Sequence, residues 1–215
     1  SFQVEAAEAI EAGENVLLAA PTGAGKTLVA EYAIEHAVNS GRRAIYTSPI
    51  KALSNQKFRD FKADGIRVGL MTGDLTLDPD APLVIMTTEI FRNAVFEDPE
   101  RFADTDFAIF DEVHFVDDIE RGTVWEECCI LSPPSVSLIA LSATLTNAAQ
   151  ITSWLTDIHG PTALVASEHR PVRAQGAGER LRALDRPCPE RCDSRRTASA
   201  GSGVRPGCVA ARRGR

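Results

Sequence analysis

One eight-residue stretch, Ala20-Pro21-Thr22-Gly23-Ala24-Gly25-Lys26-Thr27, constrains the fold of this chain more than any other. An apolar run from Val16 to Ala20 leads into it, and a helical pattern follows from about Thr27. A buried strand, a glycine-bearing loop and a helix, in that order, are the setting of a phosphate-binding loop. The strict pattern has a glycine six residues before the lysine, and this chain has Ala20 there.

The residue types in this stretch suit an anion. Gly23 and Gly25 let the backbone curl so that successive N–H groups point inward, and the helix start adds roughly half an elementary positive charge. Lys26 can reach the β- and γ-phosphates of a nucleotide, and the Thr27 hydroxyl can bind Mg²⁺. The alternative is an ordinary glycine turn, which does not require Gly-Lys-Thr at the helix start. We therefore predict a nucleotide-binding loop.

Short apolar segments alternate with helical patterns over the first 172 residues. This alternation predicts an α/β fold with a mainly parallel sheet that is covered by helices on both faces. In such sheets, ligands bind at the carboxyl ends of the strands. Strands are predicted at residues 16–20, 44–48, 68–71, 83–87, 107–110, 138–141 and 163–165, and helices at residues 2–12, 27–39, 51–63, 89–96, 123–131 and 148–155.

The charge of the chain is divided unevenly. Residues 174–215 hold ten arginines and four acids, a net charge of +6, whereas residues 1–173 hold 13 basic and 26 acidic residues, a net charge of −13. Nucleic-acid binding by the first part must therefore rest on local contacts rather than on a basic field. The second part lacks Ile, Phe, Tyr, Trp, Met and Lys. It cannot bury enough apolar area to offset its ordering entropy, and we expect it to be disordered.

Hydropathy and cysteine use bear on the compartment. No run approaches the roughly 18 apolar residues of a membrane helix, and no secretory signal is visible. The chain begins without methionine, so we expect an upstream piece to be missing. Cys128 and Cys129 fall in a helical pattern as core residues, whereas Cys188, Cys192 and Cys208 lack a fourth ligand at zinc spacing. A reducing, cytoplasmic compartment fits best.

A second group of candidate residues, Asp111-Glu112-Val113-His114, directly follows a predicted apolar strand. Asp111 can hold a phosphate-bound Mg²⁺, directly or through water. Glu112 can orient and deprotonate a hydrolytic water. The alternative is a solvated acidic loop after a strand, but the phosphate-binding loop elsewhere in the chain favours the catalytic interpretation.

Two further signals are weak by themselves. Ser142 and Thr144 flank Ala143 at the end of a predicted strand, and such a pattern also makes turns and helix caps. Near the start of the chain, the Gln3 amide can read the N6/N7 edge of adenine and the Phe2 ring can stack on the base. A surface helix start fits these two residues equally well.

Several segments of the chain, in the order in which they occur, resemble the motifs of a superfamily two helicase. His114 in the fourth position resembles the DExH box rather than the DEAD box. The segments that carry the resemblance are Gln3, Ala20 to Thr27, Ser48-Pro49-Ile50-Lys51-Ala52-Leu53, Thr72-Gly73-Asp74, Thr87-Thr88-Glu89, Asp111 to His114 and Ser142 to Thr144. Those that resemble the Ski-type branch of exosome-associated RNA helicases are Glu120-Arg121-Gly122, Val124-Trp125-Glu126-Glu127, Ser167-Glu168 and Arg170-Pro171-Val172.

The resemblance implies a RecA-like, P-loop NTPase domain over residues 1–172, a three-layer sandwich that uses ATP and Mg²⁺. It implies roles for individual residues. The catalytic residues would be Lys26, Asp111, Glu112 and His114, with Mg²⁺ held by Thr27 and Asp111. The nucleotide would be bound by Phe2, Gln3, Pro21, Thr22, Gly23, Ala24, Gly25, Lys26 and Thr27. Nucleic acid would be bound by Pro49, Lys51, Thr72, Gly73, Thr87 and Thr88. Ser142 and Thr144 would couple the nucleotide state to strand binding through His114.

The implied function is ATP-dependent unwinding or remodelling of RNA. A DNA helicase of the same superfamily and a non-catalytic nucleotide-binding module are the alternatives. The family places a second RecA-like lobe after this one, with arginines that complete the ATP site, and we expect that lobe to be missing from this chain. The similarity stops at Arg173. We hypothesise that the 173–215 tail is disordered or arises from a reading-frame shift.

Overall fold

Residues 1–113, 119–143, 145 and 147–167 are described in the computed structural model of this chain, with the backbone alone for residues 119–122. They form helices that alternate with strands, as predicted. The helices are α1 (Phe2–Glu11), α2 (Lys26–Asn39), α3 (Lys51–Ala63), α4 (Thr88–Glu97), α5 (Ile119–Leu131) and α6 (Ala148–His159), with a 3₁₀ turn at Pro99–Phe102. The strands are β1 (Asn15–Ala19), β2 (Arg43–Ser48), β3 (Val68–Thr72), β4 (Leu75–Leu77), β5 (Leu83–Thr87), β6 (Thr105–Phe110), β7 (Ser137–Ser142) and β8 (Thr162–Ala166).

The strands form one sheet in the order β4-β3-β5-β2-β6-β7-β1-β8. Every neighbouring pair is parallel except β3 and β4, which pair antiparallel. The prediction of a mainly parallel sheet is therefore confirmed. The short strand β4 was not predicted, because its three residues are all exposed and show no burial pattern. Helix α5 begins four residues earlier than the helical pattern indicates.

Both faces of the sheet are covered, so the fold has three layers, as predicted. Side chains alternate between faces along each strand. On β2, Tyr46 joins the cluster that packs under α1, α2 and α3, whereas Ile45 joins the cluster under α4, α5 and α6. On β6, Ile109 and Phe110 divide in the same way. Each face is therefore a separate apolar core, and the predicted core residues Cys128 and Cys129 are buried in the second one.

The carboxyl ends of the parallel strands lie at one edge of the sheet, which we call the carboxyl edge. The phosphate-binding loop follows β1, Asp111 follows β6, and Ser142 ends β7. Residues 48–53 begin at the end of β2, while Thr72 and Thr87 end β3 and β5. The strand order therefore places the nucleotide candidates on β6, β7 and β1 and the nucleic-acid candidates on β3, β5 and β2.

Some predictions fall on parts of the chain outside the described residues. These are the roles of His114 and Thr144, the character of the 173–215 tail, and the three cysteines within that tail. Within the described residues, no helix has both the length and the apolar character needed to cross a membrane.

At Gly69, strand β3 lies very close to Asp78, the residue that follows β4. This close approach leads to a prediction about stability. A Cβ added at Gly69 would lie 2.2 Å from the carbonyl oxygen of Asp78. We expect Gly69→Ala to lower the free energy of unfolding by about 1–3 kcal/mol, the usual cost of overpacking. Equilibrium urea denaturation measures this change.

Gly73→Ala is the matched control, because a Cβ at Gly73 would meet no atom within 4 Å. Its effect on the free energy of unfolding should stay within about 0.5 kcal/mol. Equal destabilisation by the two substitutions would contradict the close approach at Gly69.

Candidate nucleotide and nucleic-acid site

The phosphate-binding loop has the backbone that its glycines predict. Gly23 has a φ of 82° and Gly25, which caps the start of α2, has a φ of 92°. Both values lie in the left-handed region, where a residue with a Cβ is strained. The Ala24 N–H donates to the Pro21 carbonyl at 3.1 Å and closes the turn. The loop therefore curls immediately before the N-terminus of α2.

Ala20 stands where the strict pattern has glycine, and its surroundings explain why alanine is accepted. Its side chain is fully buried, and its N–H donates to the Ser142 carbonyl at 3.1 Å. Among the described non-glycine residues, only Asp78 and Glu112 have a positive φ. Ala20 therefore lacks the positive φ that favours glycine, and its backbone conformation requires no glycine.

Lys26 is half-buried at the start of α2 and folds back over the loop. Its Nζ donates to the Ala20 carbonyl at 2.8 Å and to the Pro21 carbonyl at 3.4 Å. Burial lowers the pKa of Lys26 below its ordinary value, and the negative charges of Glu112 and Asp111 oppose that shift. The Lys26 amine therefore contacts the loop and also interacts electrostatically with Asp111 and Glu112, the acidic pair.

The acidic pair is held tightly at the end of β6. The Asp111 N–H continues the sheet by donating to the Thr47 carbonyl at 3.0 Å. Its Oδ1 accepts the Glu112 N–H at 3.0 Å, and its Oδ2 accepts the Tyr46 hydroxyl at 2.5 Å. Glu112 has a φ of 59°, an uncommon value for a residue with a side chain, and such values cluster at functional sites.

Tyr46 contacts the acidic pair and was not predicted from the sequence. It is almost fully buried, and burial, followed by the charge of Asp111, raises the pKa of its phenol far above the ordinary value. The phenol therefore stays protonated and donates to the carboxylate. A signal was present in the sequence: Tyr46 is the one aromatic residue in an otherwise aliphatic and polar strand, two positions before its end.

The weaker nucleotide candidates also lie near the loop. The Gln3 amide donates to the Ala24 carbonyl at 3.4 Å, and Phe2 packs against the core cluster beneath α1 and α2. The Ser142 hydroxyl is buried without a hydrogen-bond partner among the described residues, and the Ser142 carbonyl accepts the Ala20 N–H. Gln3 and Ser142 are therefore each linked to the loop by a hydrogen bond.

The oxygen donors available at this edge suit Mg²⁺, which prefers hard oxygen ligands and keeps several waters. Thr27 offers an exposed hydroxyl in the first turn of α2, and Asp111 offers a carboxylate. No three His, Cys, Asp or Glu side chains within the described ranges are grouped so that they could hold a metal ion. A Mg²⁺ bound here would take most of its ligands from phosphate and water.

The nucleic-acid candidates meet at the other half of the carboxyl edge. Thr72, Thr87 and Thr88 are buried, whereas Gly73 is exposed and Pro49 is half-buried. Lys51, at the start of α3, is within 2.5 Å of the Asp74 carboxylate, which also accepts the Thr72 hydroxyl at 3.2 Å. Both hydrogen bonds lower the pKa of Asp74, and the one from Lys51 has the larger effect. Asp74 thus links two of the candidate segments.

Comparison with known families agrees with this geometry. The family model for the DEAD/DEAH box helicases matches residues 1–151, which is most of the chain. The fold is also similar to that of a solved DUF1998 helicase, MrfA, bound to DNA and AMPPNP. The TM-score is 0.63 and the identity 22%, over 80% of this chain and 27% of that one. At this identity the likeness concerns the fold alone.

Curated relatives are much more similar in sequence. An Arabidopsis thaliana DExH-box ATP-dependent RNA helicase, DExH9, is 47% identical over 81% of this chain and 18% of that protein. The ATP-dependent RNA helicase mtr4 of Schizosaccharomyces pombe is 48% identical, over 81% and 16% of the two chains. The antiviral helicase SKI2 of Saccharomyces cerevisiae is 52% identical, over 72% and 12%.

This chain therefore spans less than a fifth of the length of each of these relatives. The matches confirm the predicted similarity to Ski-type, DExH-box RNA helicases, and the three-layer fold is that of a RecA-like helicase domain. A family model that covers most of the chain, and relatives about half identical to it, show that this chain belongs to the DEAD/DEAH box helicase family.

Proposed function

We propose that this chain is the ATP-binding and nucleic-acid-binding lobe of an ATP-dependent DExH-box RNA helicase. In that protein, ATP hydrolysis would drive movement along RNA or its unwinding once a second RecA-like lobe is present. The carboxyl edge is the observation that carries this proposal. The phosphate-binding loop and Asp111 occupy one half of that edge, and the segments that begin at Ser48, Thr72 and Thr87 occupy the other. The names of the relatives favour RNA over DNA.

The nucleotide half has the groups that phosphoryl transfer requires. Lys26 would exchange its loop carbonyl partners for the β- and γ-phosphates, and the curled loop would offer its N–H groups to the same oxygens. Thr27 and Asp111 would hold Mg²⁺, and the bound ion would neutralise part of the negative charge of the phosphates. Glu112 would orient and deprotonate the attacking water, and His114, Ser142 and Thr144 would communicate with the nucleic-acid half.

The nucleic-acid half would bind the sugar-phosphate backbone. Backbone amides and hydroxyls at the ends of β3, β5 and β2 carry no sequence information, which suits an enzyme that acts on many sequences. Lys51 is the cation among the candidate residues of this half, and its exposed ion pair with Asp74 is of a kind that a phosphate can replace. Because residues 1–173 carry a net charge of −13, close contacts rather than long-range attraction would supply the affinity.

Lys26→Ala tests the phosphate-binding loop. We expect it to weaken ATP affinity by about tenfold to hundredfold, because a charge-assisted hydrogen bond to phosphate contributes roughly 1.5–3 kcal/mol. Titration of a fluorescent ATP analogue measures this change, and circular dichroism checks the fold. Lys62→Ala, in the last turn of α3, is the control and should retain the original affinity. Unchanged affinity in a folded Lys26→Ala protein would overturn the assignment of the loop.

Two substitutions of the acidic pair separate metal binding from base catalysis. Glu112→Gln should keep Mg–ATP binding and lose hydrolysis, because an amide can position a water but cannot accept its proton. Asp111→Asn should instead weaken the Mg²⁺-dependent part of ATP binding. A magnesium titration of nucleotide affinity, together with an ATPase assay, distinguishes the two. Identical behaviour of the two variants in the titration would refute this division of roles.

Lys51→Ala tests the nucleic-acid half. We expect weaker binding of single-stranded RNA at low salt, and a salt dependence reduced by the equivalent of one phosphate contact, a slope change of about 0.7. Lys62→Ala removes the same charge near the far end of α3 and should change neither quantity. Fluorescence anisotropy at several salt concentrations measures both, with a DNA strand of the same sequence as the comparison. Tighter binding of the DNA strand would favour a DNA helicase instead.

A further inference from the structure

Tyr46 has a position that the family assignment does not explain. It lies in β2, whose end carries the nucleic-acid segment 48–53, yet its hydroxyl donates to the Asp111 carboxylate on β6, in the nucleotide half. In the strand order, β2 and β6 are the neighbours at which the two halves of the carboxyl edge meet. The hydrogen bond from Tyr46 to Asp111 therefore crosses from one half to the other.

The strand register accounts for this contact. Tyr46 is paired with Ile109, and Asp111 lies two residues further along the chain. Because side chains two apart on a strand share a face, Asp111 emerges on the same face as Tyr46. A tyrosine is long enough to span that offset with its hydroxyl. Phenylalanine would keep the ring in place and lose the contact.

Two side chains of α3 also pack against the Tyr46 ring. Phe61 of α3 packs edge-on against it, with ring centroids 5.8 Å apart and planes at 65°. The Lys57 Nζ, also on α3, lies over the ring at 5.8 Å from its centroid. The phenol is therefore fixed by the helix that begins at Lys51 and by the buried face of the sheet. Its hydroxyl has little freedom to leave Asp111.

The two oxygens of the Asp111 carboxylate each accept one hydrogen bond from a fixed donor. The Glu112 N–H holds Oδ1, and the Tyr46 hydroxyl holds Oδ2. Each oxygen keeps one further lone pair for a metal or a water. Groups that orient a metal-binding side chain in this way commonly change metal affinity by 10–100-fold when they are removed.

We propose that Tyr46 is a positioning residue that orients the Asp111 carboxylate for Mg²⁺ and thereby supports the binding of Mg–ATP. This inference rests on the proposed function, because it presupposes that Asp111 holds the metal. In this proposal, the residue that orients the Asp111 carboxylate belongs to β2, the strand that leads into the nucleic-acid segment 48–53. Tyr46 itself touches neither the nucleotide nor the metal in this proposal.

Tyr46→Phe tests the proposal in the full chain. We expect it to raise roughly tenfold the Mg²⁺ concentration that half-maximally tightens the binding of a fluorescent ATP analogue, while affinity without Mg²⁺ stays unchanged. Tyr32→Phe is the matched control, because the Tyr32 hydroxyl also donates to a carboxylate at 2.5 Å, that of Glu11 at the exposed end of α1. It should leave the magnesium dependence as it is.

A double-mutant cycle distinguishes positioning from a general structural effect. If Tyr46 acts through Asp111, adding Tyr46→Phe to Asp111→Asn should change the magnesium dependence no further. An unaltered magnesium dependence in Tyr46→Phe would overturn the proposal, and so would an equal loss of affinity with and without Mg²⁺. If the unsubstituted chain binds ATP without any gain from Mg²⁺, the proposed metal site itself is wrong.

A second measurement leaves Tyr46 and Asp111 unsubstituted. The chain has two tyrosines, so incorporation of 3-fluorotyrosine gives two ¹⁹F resonances, which Tyr32→Phe assigns. We expect ATP with Mg²⁺ to shift the Tyr46 resonance and to leave that of Tyr32 in place, and ATP without Mg²⁺ to produce a smaller shift. A Tyr46 resonance that does not respond to Mg–ATP would contradict the proposal.

Discussion

The parallel pairing of neighbouring strands is the constraint on which the rest of this structure depends. It brings the carboxyl ends of seven strands to one edge, although the segments that follow them are far apart in the chain. The loop after β1 and the acidic pair after β6 are separated by more than 80 residues, yet both lie at that edge. Buried apolar residues on both faces hold the strands in register, because a slip by one residue would exchange the faces of every side chain.

Electrostatics then decides how the two halves of this edge differ. In the nucleotide half, one half-buried amine interacts electrostatically with two carboxylates, so part of their negative charge is offset from within the protein. In the nucleic-acid half, the pair of Lys51 and Asp74 is exposed and open to competition from salt or phosphate. An overall acidic domain can bind a polyanion under these conditions, because hydrogen bonds at short distance replace the attraction that a basic surface would supply.

Most of the fold and much of the candidate site could be predicted from local pattern. Gly-Lys-Thr at a helix start and two acids after an apolar strand are contiguous signals, and the structure places them at one edge. Tyr46 could not be predicted in the same way. Its contact with Asp111 depends on the pairing of β2 with β6 and on a register that no local pattern encodes. Strand β4 was missed for a related reason: hydrogen bonding to β3 stabilises it, and its side chains are exposed. The positive φ of Glu112 likewise has no residue-type signal, since glutamate rarely adopts it.

Strand β4 has a consequence for the protein outside its binding site. It forms one margin of the sheet, with Leu75 and Leu77 exposed by 43% and 41%, and unpaired backbone groups at such a margin invite strands from other molecules. Three features oppose this association. Strand β4 is only three residues long, and the charged residues Asp74 and Asp78 flank it. Arg67 also donates two hydrogen bonds to the Asp78 carboxylate, at 2.6 and 2.8 Å, and so fixes its position. The same short hairpin that presents Thr72 and Gly73 at the carboxyl edge thus protects the sheet against intermolecular strand pairing and aggregation.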